Sequence, residues 1–380
     1  MEVYLDNSAT TRPYPEVAQL VADIMLNNYG NPSSLHRMGK NAEDLLTQSR
    51  QILAKSLSAT ESEFYFTSGG TESNNTAIIG YAMANRREGM RIITQVSEHA
   101  AVLEPFKYLE TQGFDVVYIG IDEQGFPKLD DLKQAVNDET ILMSFMYVNN
   151  ETGAIFPIEE IAAMKPGKKC ALHVDAVQAY GKIPVNVKKI PIDMLSISSH
   201  KIHGPNGIGG LYVRQGVKIN PIVFGGSQEK GLRSGTENIA SASAFAKASQ
   251  IKLSFAQDDC ERVGALKKRL KEGLCASVEN VVVNSPENSV YSILNLSFPG
   301  VKSEVLLHVL ESKGIYVSTG SACNSRKKKY SYVLTEMGLK DNIIDSAVRF
   351  SLSAFNTEEE IDYCIEVLKK EIPLLRKIMK

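Results

Sequence analysis

Two residues far apart in the chain could together hold an aldehyde cofactor. Lys201, in Ser199-His200-Lys201, precedes the glycine-rich turn His203-Gly204-Pro205-Asn206-Gly207, a setting suited to a Schiff base. Asp175 ends the apolar run Ala171-Leu172-His173-Val174-Asp175. An anion there can face a pyridinium nitrogen and keep the ring protonated, which makes the ring an electron sink. The pair therefore meets two needs of pyridoxal phosphate. Taken singly, each has a plainer reading, a solvated lysine and a strand-end aspartate that caps a turn.

Other groups of residues carry chemistry of their own. Thr67-Ser68-Gly69-Gly70-Thr71-Glu72-Ser73-Asn74 reads as strand, glycine turn and helix start, where free N–H groups and hydroxyls suit a phosphate. A helix cap is the equal alternative, and the pattern matches neither a Walker A nor a GxGxxG motif. His99 follows an apolar strand and could stack on a planar ring or be structural. Asn149 and Asn150 close another strand. Arg349 lies on Val348-Arg349-Phe350-Ser351-Leu352, where its fork of donors suits a carboxylate or a structural ion pair. Cys323 sits among small residues, Ser318-Thr319-Gly320-Ser321-Ala322-Cys323, just before the basic run Arg326-Lys327-Lys328-Lys329. Neighbouring positive charge favours a thiolate, and small residues let it move.

The elements needed to position these residues are legible as pattern. Strand-like runs at Glu63–Thr67, Arg91–Gln95, Asp115–Ile119, Ile141–Tyr147, Ala171–Asp175, Met194–Ser198 and Gly210–Val213 alternate with helical patterns at Glu16–Leu26, Asn41–Leu57 and Glu72–Arg86. This predicts an α/β fold with a mostly parallel central sheet covered by helices on both faces. Ligands in such sheets bind beyond the carboxyl ends of the strands, where Thr67, Asp175 and Ser198 fall. From about residue 255 the pattern changes to a smaller α+β domain. The expected division is a large domain over 13–254 and a small one formed by 1–12 and 255–380, with Tyr4–Asp6 crossing over to join it or to gate the cleft.

Composition narrows the class further. The 380 residues are 43% hydrophobic and 23% charged with a net charge of −2, which favours neither nucleic acid nor membrane as a partner. The N-terminus Met1-Glu2-Val3-Tyr4-Leu5-Asp6 lacks a signal-like segment and no run reaches transmembrane length, so a cytoplasmic protein is expected. The five cysteines form no CxxC pair, which argues against a disulfide framework and leaves no expected metal site.

Read together, the motifs resemble those of the cysteine desulfurases of the NifS/IscS type, in the class V aminotransferase group with PLP fold type I. The matching stretches include Tyr4-Leu5-Asp6-Asn7-Ser8-Ala9-Thr10-Thr11, Gly30-Asn31-Pro32-Ser33-Ser34, Val148-Asn149-Asn150-Glu151, His173-Val174-Asp175-Ala176-Val177-Gln178, Ser199-His200-Lys201, Arg233-Ser234-Gly235-Thr236, Gly320-Ser321-Ala322-Cys323 and Arg349-Phe350-Ser351-Leu352. The resemblance implies that Lys201 carries the Schiff base and moves the Cα proton, Asp175 faces the pyridine nitrogen, Gln178 the phenolic oxygen, and His99 stacks on the ring. Gly70, Thr71, Ser198 and His200 would hold the phosphate, and Thr236 would reach the phosphate of a partner subunit in a homodimer. Asn149 and Arg349 would bind the substrate L-cysteine. Cys323 would take its sulfur as a persulfide for an iron-sulfur scaffold or a thiolation enzyme, and would be the residue to meet a transferred iron-sulfur cluster. A selenocysteine lyase or an aminotransferase on the same fold is the alternative. The basic run after Cys323 departs from many relatives, and is expected either to dock an acidic acceptor or RNA-bound thiolation partner or to be a solvated loop.

Overall fold

The computed structural model describes residues 1–167, 169–319 and 330–379. Its strands are β1 (Val3–Tyr4), β2 (Phe64–Thr67), β3 (Arg91–Gln95), β4 (Asp115–Ile119), β5 (Thr140–Met146), β6 (Ala171–Asp175), β7 (Met194–Ser198), β8 (Gly209–Val213), β9 (Val282–Val283), β10 (Ile293–Ser297), β11 (Ile315–Tyr316) and β12 (Ala347–Ser351). Seven of them form one sheet in the order β2-β8-β7-β6-β5-β3-β4. Every residue of β5, β6, β7 and β8 is buried, as expected for strands covered on both faces.

Only β8 runs against its neighbours in this sheet, pairing antiparallel with both β2 and β7. The reversal follows from the short return after β7. The one-turn helix Ser199–Lys201 is followed by His203 at a φ of 66° and Gly207 at 77°, and the Ser199 N–H donates to the Ile208 carbonyl at 3.2 Å. A Cβ at Gly204 would lie 2.0 Å from Ser199 Oγ, so only glycine fits that approach. The return matters because it presents Lys201 beyond the carboxyl end of the sheet.

The predicted strands fall within a residue or two of the observed ones, since each apolar run is short and bounded by turn residues. The helices differ more. The predicted helix over 41–57 starts earlier, at Arg37–Ser56, because the His36 ring accepts the Gly39 N–H as a cap. The predicted helix over 72–86 contains a π turn at Thr76–Gly80 between the α-helical pieces Gly70–Asn75 and Tyr81–Asn85. There the Gly80 carbonyl accepts from Asn220 N–H at 3.1 Å, outside the helix.

The remaining strands gather at the other end of the chain. β12, β10 and β9 form an antiparallel sheet, and β1 pairs in parallel with β11. One apolar core joins Val3 and Leu5 to Val263, Leu266 and Leu270 of the helix Ala256–Ser277, to Leu294 and Phe350, and to Ile361 and Leu368 of the helix Glu358–Ile378. The largest core joins both the helix Arg37–Ser56 and the helix Ile239–Ser254 to the seven-stranded sheet. No helix among the described residues is long and apolar enough to cross a membrane.

Candidate active site

The carboxyl ends of β2, β3, β5, β6 and β7 open onto a cavity of about 490 Å³ whose opposite wall comes from the N-terminal segment and β12. Asp175 lies in register with Met146 of β5 and Ser196 of β7, which places its carboxylate at the centre of the sheet's rim. One carboxylate oxygen accepts from Asn74 Nδ2 at 2.7 Å and the other from the Val177 N–H at 2.9 Å. Asp175 is buried, and these donors hold its carboxylate in place.

Lys201 reaches into the same cavity and donates to the carbonyls of Ser8 at 2.5 Å and Ala9 at 2.7 Å. His99 begins the helix Ala100–Thr111, where its Nδ1 accepts the Ala101 N–H at 3.1 Å. The neutral ring then carries its proton on Nε2. Burial and nearby Lys201 lower the His99 pKa, while Asp175 pulls it upward. His200, beside Lys201, has its pKa pushed down to about 4 by burial and by the Lys201 and Lys182 charges. Both imidazoles are therefore uncharged at neutral pH, one on a wall that could face a planar ring and the other beside Thr10 Oγ1 at 3.2 Å.

Gly70, Thr71, Ser198 and His200 line one end of the cavity. The first N–H groups of a helix have no acceptor within it, and Gly70 and Thr71 open such a helix. A Cβ on Gly70 would come within 2.7 Å of a Val177 methyl, so any larger residue here would have to displace that side chain. Arg349 closes the other end. Its guanidinium donates to Asp6 Oδ1 at 2.8 Å and to the Asn150 carbonyl at 3.0 Å.

The polar atoms left over show what the cavity fits. Ser8 Oγ, Asn74 Oδ1, Asn150 Oδ1 and Arg349 Nε line it, are buried and have no hydrogen-bond partner among the described residues. Unpaired buried polar atoms are costly, so their clustering suits a polar occupant. An aspartate for a ring nitrogen, a lysine for an aldehyde, a helix start for a phosphate and an arginine for a carboxylate fit pyridoxal phosphate with an amino acid beside it.

The cavity thus gathers Lys201, Asp175, Gln178, His99, Gly70, Thr71, Ser198, His200 and Arg349, all anticipated from the sequence. Asn149 is placed otherwise. It is buried outside the lining: its Oδ1 accepts the N–H groups of Glu151 at 2.9 Å and Thr152 at 3.0 Å, and its Nδ2 donates to the Ser97 carbonyl at 3.3 Å. Asn150, the next residue, lines the cavity instead. Thr236 is exposed and outside the cavity of its own chain, while Arg233 of the same loop pairs with Glu72 at 2.9 Å. Cys323 lies outside the described residues; Ser318 and Thr319, just before it in sequence, line the cavity.

Residues that the sequence did not single out complete the site. Asp6 holds Arg349, and Asn74 holds Asp175 from the same helical turn as Thr71, a spacing of three that places both on one face. Glu98 and Glu151 are buried carboxyls whose pKa values are raised by burial, Glu98 far above the usual range. Among the described residues, no group of three or more metal-ligating side chains is assembled.

Such a fold and cavity are those of an α/β protein whose rim suits an amino acid beside a pyridoxal cofactor. The model of the class-V aminotransferase family matches residues 3–364. A cysteine desulfurase IscS of Methanosarcina thermophila is 43% identical over 376 residues, covering 99% of this chain and 93% of the relative. A solved NifS-like protein superposes with a TM-score of 0.93 at 38% identity, covering 98% of this chain and all of the other. SspA, solved in complex with cysteine, gives a TM-score of 0.82 at 31% identity over 93% of this chain and 100% of the other. The chain belongs to the class-V aminotransferase family, and within it to the cysteine desulfurases of the IscS and NifS type.

Proposed function

We propose that this cysteine desulfurase binds pyridoxal phosphate on Lys201 and passes the sulfur of L-cysteine to Cys323. The observation that carries the cofactor reading is the opposition of Lys201 and Asp175 in one cavity whose remaining polar atoms lack partners. Pyridoxal phosphate supplies there an aldehyde for amines and a protonated ring that withdraws electrons from the substrate's Cα. Asp175 would hold the ring nitrogen, Gln178 the phenolic oxygen, His99 the ring face, and Gly70, Thr71, Ser198 and His200 the phosphate. In a homodimer Thr236 would serve the phosphate of the partner subunit.

Arg349 takes the substrate carboxylate, exchanging part of its pairing with Asp6 for it. Lys201, whose Nζ is held by the Ser8 and Ala9 carbonyls, would as the neutral amine take the Cα proton and return it. The Cys323 thiolate then forms an S–S bond with the substrate sulfur while the Cβ–S bond breaks. The electron pair of that bond passes to Cβ, which is protonated, and alanine leaves. Among the described residues no cysteine lines the cavity. Burial raises the pKa of both Cys170 and Cys364 to about 12, which makes them poor nucleophiles. The same reading makes 13–254 the cofactor-binding domain, and 1–12 with 255–380 the domain that carries Cys323 and Arg349. An iron-sulfur scaffold or a thiolation enzyme would accept the sulfur.

The test uses purified protein and L-cysteine with a reducing thiol. The wild type is yellow and yields alanine and sulfide; Cys323→Ala stays yellow and loses turnover by at least about a hundredfold. Full turnover in that variant removes Cys323 from the reaction, and a colourless wild type removes the cofactor.

A further inference from the structure

Lys182 follows the end of β6 in Gln178-Ala179-Tyr180-Gly181-Lys182, where its N–H bonds the Ala179 carbonyl at 2.9 Å. Its Nζ donates to Gln178 Oε1 at 2.7 Å. The Gln178 Nε2 in turn donates to the Ser8 carbonyl at 3.0 Å. A carbonyl only accepts, which turns the amide nitrogen toward Ser8, and the Lys182 Nζ holds the amide oxygen at the other end. The donor that Gln178 has left to offer the cavity is its second N–H.

The surroundings of Lys182 argue against an ordinary ion pair. Burial and the neighbouring cations Lys201, Lys252 and Arg349 push its pKa well below the usual value, and among the described residues no anion acts to raise it. Lys252, on the helix Ile239–Ser254, is neutralised by Asp259 at 2.5 Å. Lys182, Lys201, Lys252, His203 and Tyr291 line one small void behind the cavity. A lysine placed among cations with an amide oxygen as its hydrogen-bond acceptor is costly to keep. That cost is offset if the amide's orientation matters.

We propose that Lys182 is a positioning residue that fixes the Gln178 amide with its free N–H toward the phenolic oxygen of bound pyridoxal phosphate. The inference rests on reading the cavity as that cofactor's site. With the amide reversed, Gln178 Oε1 would oppose the phenolic oxygen, and the ionised phenol would lose a donor. Loss of a hydrogen bond to a charged form shifts the proton equilibrium toward the neutral one.

Absorbance titration of the loaded protein tests it. Lys182→Met removes the donor, and the pH at which the cofactor's visible band changes rises by about one unit. Lys182→Gln keeps an N–H for Gln178 Oε1 without the charge, and its midpoint stays at the wild-type value. In a Gln178→Ala background, Lys182→Met adds no further shift, since Lys182 acts through Gln178. An unmoved midpoint in Lys182→Met, a Gln variant that moves with it, or additive shifts in the Gln178→Ala background would each overturn the proposal. Should the methionine variant fail to fold, as thermal unfolding reports, Lys182→Ala takes its place: a raised midpoint supports orientation and an unmoved one refutes it. A colourless wild type instead defeats the cofactor reading beneath it.

Discussion

Asn149 and Asn150 carry the same side chain one residue apart, yet the structure gives them opposite tasks. Asn149 turns inward, and its carbonyl oxygen satisfies two buried backbone N–H groups of the turn that follows β5. Asn150 lines the cavity with an unpartnered oxygen, and its backbone carbonyl receives Arg349. Nothing in a pair of identical residues says which faces inward, because the choice is made by the turn's backbone. The two substitutions should separate accordingly. Asn149→Ala leaves buried donors unsatisfied at about 1–3 kcal/mol, so its melting temperature falls. Asn150→Ala should melt near the wild type while its KM for L-cysteine rises severalfold. Thermal unfolding beside steady-state kinetics measures both, and a stable Asn149→Ala would contradict the assignment.

At the scale of elements, the segment from β1 to Ala9 acts as a strap across the rim of the sheet. β1 pairs with β11, Asp6 bridges to Ser351 at the end of β12, and the next residues supply the carbonyls that hold Lys201. Its crossing to the second core was legible, since Val3 and Leu5 alternate with polar residues and need an apolar partner. The strands of the large sheet were legible for a similar reason, as buried runs bounded by glycine and polar turns. The direction of β8 was not, because a short apolar run carries no polarity; the tight return at Gly204 sets it. The π turn at Thr76–Gly80 was hidden too, being imposed by a contact with Asn220 distant in sequence. Ser351 tests the strap. Its Oγ accepts the buried Ser8 N–H at 2.8 Å, which Ser351→Val would leave unpaired. The expected cost is about 1–3 kcal/mol, seen as a lower melting temperature, with kcat reduced because Ser8 also positions Lys201. A variant with unchanged kcat and melting temperature would show that the strap is held elsewhere.

Across the whole molecule, burial has left an unusual set of histidines uncharged. His173 lies between Ser144 and Ser196 with its pKa pushed down to about 3, and burial holds His200 and His203 at about 4. His99 is lowered as well. In the unfolded chain each would titrate near 6.5. Below that pH the unfolded state binds more protons than the native one, so stability is fully present above about 6.5 and is lost as pH falls toward 4. Glu98 and Glu151 act in the opposite sense. Their raised values favour the protonated form in the fold, a contribution present below about pH 4.5 and lost as pH rises. Between about pH 5 and 6 the protons bound by the four unfolded histidines outnumber those lost by the two acids, and each uncompensated proton is worth ~1.4 kcal/mol per pH unit. Calorimetric melting temperatures should therefore fall from about pH 6 to pH 5. Glu98→Gln removes one opposing group, so its stability relative to the wild type should improve as pH rises across the same range. A melting temperature that is flat or rising toward pH 5 would mean that the histidines are charged in the fold, and with them the cavity wall beside Lys201.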